Sequence, residues 1–327
     1  MMTVIADPSQ VGEARRRAGD FARAAGMAET RAGQFALVVT ELATNILKHG
    51  GSGQMLMERF ADADGSGIEC MALDRGPGMA DVERCLGDGY STAGTPGNGL
   101  GAVLRQADLV RIYSRPGVGT AVLARFVTGP SRGDGLLLGT AMTIYPGEQI
   151  SGDGWALCRP STGATLLVAD GTGHGAEAHI AAVKATAILE AHPEYDCVRI
   201  VEQMHQALRP TRGAAVGVVR IDVAGGMAHF VGVGNIGALL INDGEAKHMA
   251  SHNGIVGYTA PRIRQFDYPI SGEALVILHS DGLSARWKLS DYPDLARQHP
   301  ALIAGVLLRD HQRGRDDATV VAMRVTS

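Results

Sequence analysis

Val168-Ala-Asp170-Gly171-Thr-Gly173-His174-Gly175-Ala-Glu-Ala178 is the stretch whose reading decides the architecture. The apolar run Ala164 to Ala169 reads as a buried strand that ends on an acid. Glycines follow, and Ala176 to Ala191 carries a helical pattern. The sequence thus sets a carboxylate at a strand end, ahead of a tight turn. A single Asp-Gly pair is ordinarily just such a turn. Here the arrangement recurs in Ser151-Gly-Asp153-Gly, Ser280-Asp281-Gly282 and Asp316-Asp317-Ala-Thr. Four such acids, each against an apolar strand, are hard to assign to turns alone. Convergent carboxylates repel one another unless cations stand between them, and hard divalent cations take oxygen ligands.

Working outward, short apolar strands fill this half: Leu136 to Thr140, Ala215 to Ile221, Ala228 to Val233, Ala238 to Ile241, Ala274 to Leu278 and Thr319 to Val325. Helical patterns cover Cys197 to Leu208 and Pro300 to Arg309, and Gly232 to Gly237 reads as a hairpin turn near the acids. His174 reads as a cap of the following helix. Upstream, Thr128-Gly-Pro-Ser-Arg-Gly-Asp-Gly135 has the composition of a linker. The expected division is residues 1–128, a linker at 129–135 and residues 136–327.

The chain has 327 residues, 30 Lys+Arg against 34 Asp+Glu and 44 glycines. That length suits two domains. The mildly acidic balance offers no clustered positive charge for nucleic acid. Met1 to Gln10 has no secretory pattern, and no apolar run of ~18 residues suggests a membrane span. Cys70, Cys85, Cys158 and Cys197 are scattered, with no Cys-x-x-Cys pair, as reduced thiols in a cytoplasmic protein would be.

In the first half, Pro8 and Ser9 open a helix that stops near Gly26; a second runs from Glu29 to Gly50-Gly51. Glu41 and Asn45 lie four apart on it and share a face. Strands at Gly53 to Phe60 and Ile68 to Leu73 lead to Asp74-Arg-Gly76-Pro-Gly78-Met79. Asp74, at a strand end, is suited to accept from an exocyclic amine, with Gly76 and Gly78 admitting a flat ring and Met79 covering it. Gly97-Asn-Gly99-Leu100-Gly101 opens a short helix, whose free N–H groups suit phosphate. Leu109 to Tyr113 and Thr120 to Phe126 form a hairpin through Arg115-Pro116-Gly117.

Taken in order, these three motifs resemble the GHKL ATPase superfamily over roughly Ala6 to Val127. Glu41-Leu-Ala-Thr-Asn-Ile-Leu-Lys-His-Gly50 is similar to the anti-sigma serine kinases, and Asp88-Gly-Tyr-Ser-Thr92 to the RsbT type of stressosome switch kinase. The resemblance implies that Glu41 is general base, Asn45 holds Mg²⁺, Asp74 binds the adenine amine, and Gly97, Gly99, Leu100 and Gly101 close over ATP. Lys48 reads as a surface lysine and His49 as packing at the helix end.

The second half resembles the type 2C metal-dependent serine/threonine phosphatases of the SpoIIE-like branch, RsbX type. Val168 to Ala178, Gly232-Val-Gly-Asn-Ile-Gly237 and Leu278-His-Ser-Asp-Gly-Leu283 carry it. It implies two Mn²⁺ or Mg²⁺ ions. Asp170 would bridge them, Asp153 and the Gly171 carbonyl would complete one site, and Asp281 and Asp316 the other, with Asp317 able to share the role of Asp316. A metal-activated water would attack phosphoserine in line.

The expected fold is α+β in two domains: a GHKL (Bergerat-type) α/β sandwich, then an α-β-β-α phosphatase sandwich. The leading reading is a two-enzyme switch acting on a STAS-domain partner, an anti-anti-sigma or RsbS-like protein. Two alternatives stay open: an ATP-binding regulatory module on a single phosphatase, and two domains without catalysis. The sequence leaves monomer against homodimer undecided.

Overall fold

The computed structural model describes residues 1–82, 84, 99–160, 163–258 and 263–326. The chain divides into two compact units. The first is Met1–Leu138 with Tyr292–Arg309; the second is Gly139–Asp291 with Asp310–Ser327.

Unit 1 begins with strand β1 (Met2–Ile5) and helices α1 (Pro8–Ala24) and α2 (Glu29–Asn45). Asp7 and Gln10 form a reciprocal capping box, with Pro8 in the first turn, so the start of α1 is written locally. Strands β2 (Gly53–Asp62), β3 (Gly65–Asp74), β4 (Leu109–Arg115) and β5 (Gly119–Gly129), with helix α3 (Gly99–Gln106), follow. The sheet order is β1-β2-β3-β5-β4. Period-2 alternation splits β3 between two faces. Cys70 and Ala72 join the core made with Phe35, Val39 and Leu42 of α2. Met71 and Leu73 point the other way, toward Gly305 of the helix Pro300–His311; a Cβ there would stand 2.5 Å from the Met71 sulfur. That helix is buried from Pro300 through Arg309.

Unit 2 opens on β6 (Leu136–Thr143), which starts in unit 1, then β7 (Asp153–Cys158), β8 (Gly163–Gly171), α4 (Ala176–Ala191) and α5 (Cys197–Ala207). Next come β9 (Ala214–Asp222), β10 (Met227–Val233), β11 (Gly237–Asn242), β12 (Glu245–His248), β13 (Ser251–His252), β14 (Phe266–Pro269) and β15 (Ala274–His279). The Pro300–His311 helix is α6, and β16 (Ala318–Val325) is last. One sheet runs β13-β10-β9-β8-β7 with β14 on β10; the other runs β12-β11-β15-β16-β6. Ala181 and Ala185 of α4 and Ile200, Val201 and Met204 of α5 fill the core over the first sheet. Small residues let α4 lie close: Gly152 faces the Ala178 methyl and Gly154 the Ala182 methyl.

Three local readings are corrected. The segment Gly232–Gly237 is no hairpin: β10 and β11 belong to different sheets, and the turn carries the chain between them. The helix ending at Gly50 changes register at Asn45, continuing as a π-turn, Ile46–Gly50, before Gly51 at φ 73°. His49 is exposed, as is Lys48, so His49 does not pack the helix end. Among the described residues no helix is long and apolar enough to cross a membrane.

Candidate functional site

In unit 1 the site grows from the end of α2. Helical spacing puts Glu41 and Asn45 on one face. Gly99, opening α3, lies 58 positions from Glu41 and 54 from Asn45 in sequence, yet a Cβ on it would lie 3.2 Å from Glu41 Oε2 and 3.5 Å from Asn45 Oδ1. Leu100 packs on the core and Gly101 is buried. Gly97 and the Asp88–Thr92 stretch lie outside the described residues.

Asp74 ends β3 and accepts from the Gly76 N–H at 2.8 Å. Burial pushes its carboxyl above the usual range, against the pull of that bond and of Arg309. Gly76 and Gly78 serve a purpose the sequence did not reveal. A Cβ on Gly76 would collide with the His49 carbonyl (2.6 Å), and one on Gly78 with the Arg115 carbonyl. Their bareness lets the turn close onto protein backbone. Met79 donates its N–H to Ser114 Oγ (2.7 Å), which pairs with Thr120 Oγ1 (2.9 Å). Arg309 of α6 donates to the Asp74 carbonyl at 3.0 Å, and Arg75 donates to the Arg309 carbonyl. None of Ser114, Thr120 and Arg309 is signalled by a motif.

In unit 2, antiparallel register sets Asp153 directly opposite Asp170. Such partners have Cβ atoms ~5 Å apart on one sheet face. Two acids 17 positions apart in sequence are thereby neighbours. Asp281 follows β15 and Asp316 precedes β16; both repel Asp170 electrostatically, as do Asp153 and Asp317. Burial, reinforced by that repulsion, pushes Asp170 to about 8. Burial likewise pushes Asp153 to about 7, although Ser280 Oγ donates to it at 2.6 Å. Asp316 is raised as well, chiefly by partial burial.

The two consecutive aspartates have separate duties. Both Asp317 oxygens are taken by backbone, the Tyr145 N–H and the Gly152 N–H, each at 2.9 Å. Asp317 therefore fastens two loops, while Asp316 keeps a partly exposed carboxylate whose Oδ1 accepts the Asp317 N–H. Asn235, in the inter-sheet turn, donates to Asp281 Oδ2 at 2.6 Å. Ser280 Oγ also accepts the Thr319 N–H, tying β15 to β16 beneath Asp153. His174 does not cap α4, whose N-cap is Gly175 without a side-chain bond. Its ring instead stacks on Tyr145 (4.1 Å) and its Nδ1 bonds Glu148 at 2.8 Å.

Among the described residues, no group of three or more His, Cys, Asp or Glu side chains is arranged to hold a metal ion. The acids form a rim. Its chemistry nevertheless suits a hard cation: the donors are all oxygen, and burial raises the proton affinities of Asp153, Asp170 and Asp316.

The family matches define the class: a histidine kinase-like ATPase unit joined to a SpoIIE-type unit. Residues 4–126 match the histidine kinase-like ATPase domain, and residues 160–326 match stage II sporulation protein E (SpoIIE). The second match spans half of the chain, which belongs to the SpoIIE family. Serine/threonine-protein kinase RsbT of Bacillus subtilis is 34% identical over 111 residues, covering 34% of this chain and 84% of RsbT. Phosphoserine phosphatase RsbX of the same organism is 24% identical over 139 residues, covering 42% of this chain and 70% of RsbX. A chain solved in work on the bacterial stressosome as a modular system controlling secondary messenger signaling superposes with TM-score 0.55 and 28% identity, over 57% of this chain and 98% of that one. A crystal structure of RsbX in complex with magnesium gives TM-score 0.53 over 67% of this chain and all of that one; at 17% identity it shows the fold alone. The chain thus joins a domain similar to RsbT to one similar to RsbX.

Proposed function

We propose that the chain runs both directions of one phosphorylation switch. Residues 1–128 would transfer phosphate from ATP to a Ser or Thr of a STAS-domain protein of the anti-anti-sigma or RsbS type. Residues 136–327, beyond the 129–135 linker, would remove it. The observation that carries the reading is the union of two residue clusters in one chain: Glu41, Asn45 and Gly99 gathered in unit 1, and Asp153 opposite Asp170 in unit 2.

In unit 1, Glu41 takes the proton of the attacking hydroxyl, and Asp74 accepts from the adenine amine. Asn45 would hold the Mg²⁺ of ATP. Gly76, Gly78 and Met79 form the adenine wall, and Gly97, Gly99, Leu100 and Gly101 the phosphate side. Transfer needs mainly positioning and charge neutralisation. In unit 2, Asp153, Asp170, Asp281, Asp316 and the Gly171 carbonyl would hold two Mn²⁺ or Mg²⁺ ions. When bound, the ions supply charge neutralisation and Lewis acidity. The protein's own part is geometric: Ser280 orients Asp153, Asn235 orients Asp281, and Asp317 fixes the loops that carry Gly152 and Tyr145.

A second reading is favoured by Arg309. Its bond to the Asp74 carbonyl ties the nucleotide turn to α6, whose chain reaches Asp316 seven residues later. ATP would then control hydrolysis and not be consumed. The test is Mg-ATP with a STAS-domain protein, following labelled phosphate for wild type, Glu41→Gln and Asp170→Asn. The switch requires no labelling with Glu41→Gln, ATP still bound, and accumulating label with Asp170→Asn. ATP-dependent hydrolysis without any labelling selects the second reading.

A further inference from the structure

An acid rim creates a problem for its own substrate. Four carboxylates, those of Asp153, Asp170, Asp281 and Asp316, act on one another there, while the oxygens of Asp317 are taken by backbone. Two divalent cations would do no more than cancel those four charges before a phosphomonoester dianion arrives. His174, in the glycine turn after Asp170, is engaged with Glu148 and stacked on Tyr145. A free guanidinium is therefore the group to look for, since its planar fork matches two phosphoryl oxygens.

We propose that Arg212, on the short turn between α5 and β9, is the residue that binds the substrate phosphoryl group; this rests on unit 2 being the phosphatase described above. Its Nη1 lies 3.3 Å from where a Cβ on Gly173 would be, in the glycine turn after Asp170. Gly173 has φ +94°, and its carbonyl borders Gly152, which also faces Asp317 Oδ2. The guanidinium thus stands beside the glycine turn that follows Asp170. Arg212 is exposed and has no hydrogen-bond or ion-pair partner among the described residues.

The turn that presents it is firmly built. The Thr172 N–H donates to the Gly213 carbonyl at 3.0 Å, linking the Asp170 turn directly to the Arg212 turn. The Gly213 N–H donates to Thr211 Oγ1 (3.0 Å), and Thr211 Oγ1 donates to the Leu208 carbonyl (2.6 Å). Ala214 and Val256 exchange both backbone bonds. The backbone that carries Arg212 is thus fixed against the Asp170 turn, and its guanidinium is left without a protein anion, as a substrate-binding cation must be. Lysine would not replace it, because an ammonium offers a point charge where the fork offers two parallel donors.

The test uses Mn²⁺-loaded full-length protein with p-nitrophenyl phosphate and a phosphoserine peptide as substrates. Inorganic phosphate is the ligand in calorimetry, which needs no turnover. Arg212→Ala is expected to raise KM for both substrates and to weaken phosphate binding, each by about tenfold or more. Its melting temperature and Mn²⁺ affinity should stay at wild-type values, and Arg212→Lys should recover only part of the loss. Unchanged KM and phosphate affinity in Arg212→Ala would overturn the assignment while leaving the phosphatase reading intact. So would the same losses appearing in Arg315→Ala, which replaces the exposed arginine next to Asp316, and not in Arg212→Ala. A wild type that hydrolyses neither substrate removes the phosphatase reading; equal phosphate binding by wild type and Arg212→Ala then removes Arg212 as well.

Discussion

Each unit buries a cluster of acids, and the two clusters are balanced in opposite ways. In unit 1, Arg125 is fully buried and donates to Glu69 (2.7 Å), to both oxygens of Asp62 (3.0 and 3.1 Å), to Asp64 (3.0 Å) and to the Leu138 carbonyl. His299, at the foot of α6, adds a contact to Asp64 at 3.3 Å. Register explains the core of this arrangement, since Glu69 and Arg125 are cross-strand partners. In unit 2, cross-strand pairing sets acid against acid, Asp153 against Asp170, with no Lys or Arg ion pair to the acid rim among the described residues. A cluster that carries its own cation is a structural joint. One that lacks a cation leaves its acids repelling one another.

The largest expected effect tests that distinction from the acidic side. Asp170→Asn should lower phosphomonoester hydrolysis on the order of 10³-fold or more, because charge neutralisation at the reacting phosphate is lost. In chelator its melting temperature should be no lower than wild type, since a repelled buried charge has been removed. A lower melting point with activity surviving in the folded fraction would place Asp170 with the structural joints.

From the other side, Arg125→Met strands Asp62 and Glu69 without their cation. Urea denaturation should show a loss of about 3–5 kcal/mol, and joint replacement of Asp62, Glu69 and Arg125 by apolar residues should restore most of it. If Arg125→Met is as stable as wild type, the contrast between the clusters disappears.

A smaller effect concerns a half-buried acid that belongs to neither cluster. Asp74→Asn faces an amine with an amide, and ATP binding should weaken by about 1–3 kcal/mol. An unchanged ATP titration would move adenine elsewhere. An altered hydrolysis rate in the same variant would show that the α6 connection transmits nucleotide state.

The smallest effect per step is a pH slope. Asp153 near 7 and Asp170 near 8 hold protons that the unfolded chain, with ordinary values near 4, releases. Below about pH 4 both states are protonated and no difference arises. Between pH 4 and 8 the metal-free protein should lose stability as pH rises, by at most about 1.4 kcal/mol per pH unit for each group. Above pH 8 the loss should level off. Saturating Mn²⁺ should flatten the slope and Asp170→Asn should reduce it. A flat profile in chelator would mean that the acids are better solvated than their burial implies.

The sequence determined whatever is encoded locally. Apolar runs ending on acids, the i,i+4 pair Glu41 and Asn45, the Asp7–Gln10 cap and the glycine turns all act within a few residues, so their spacing carries the signal. Only the tertiary structure decided the long-range matters. It separated Asp317, held by two backbone amides, from Asp316, although the two are identical and adjacent. It made Gly232–Gly237 a passage between sheets, because the turn looks the same whether or not the flanking strands pair. It took His174 from a capping role to a stack on Tyr145, and set Arg212 beside Gly173. It also grouped α6, written between two strands of unit 2, with unit 1. A helix apolar on every side states that it will be buried, but not against which sheet, and here Gly305 fits the face formed by Met71 and Leu73.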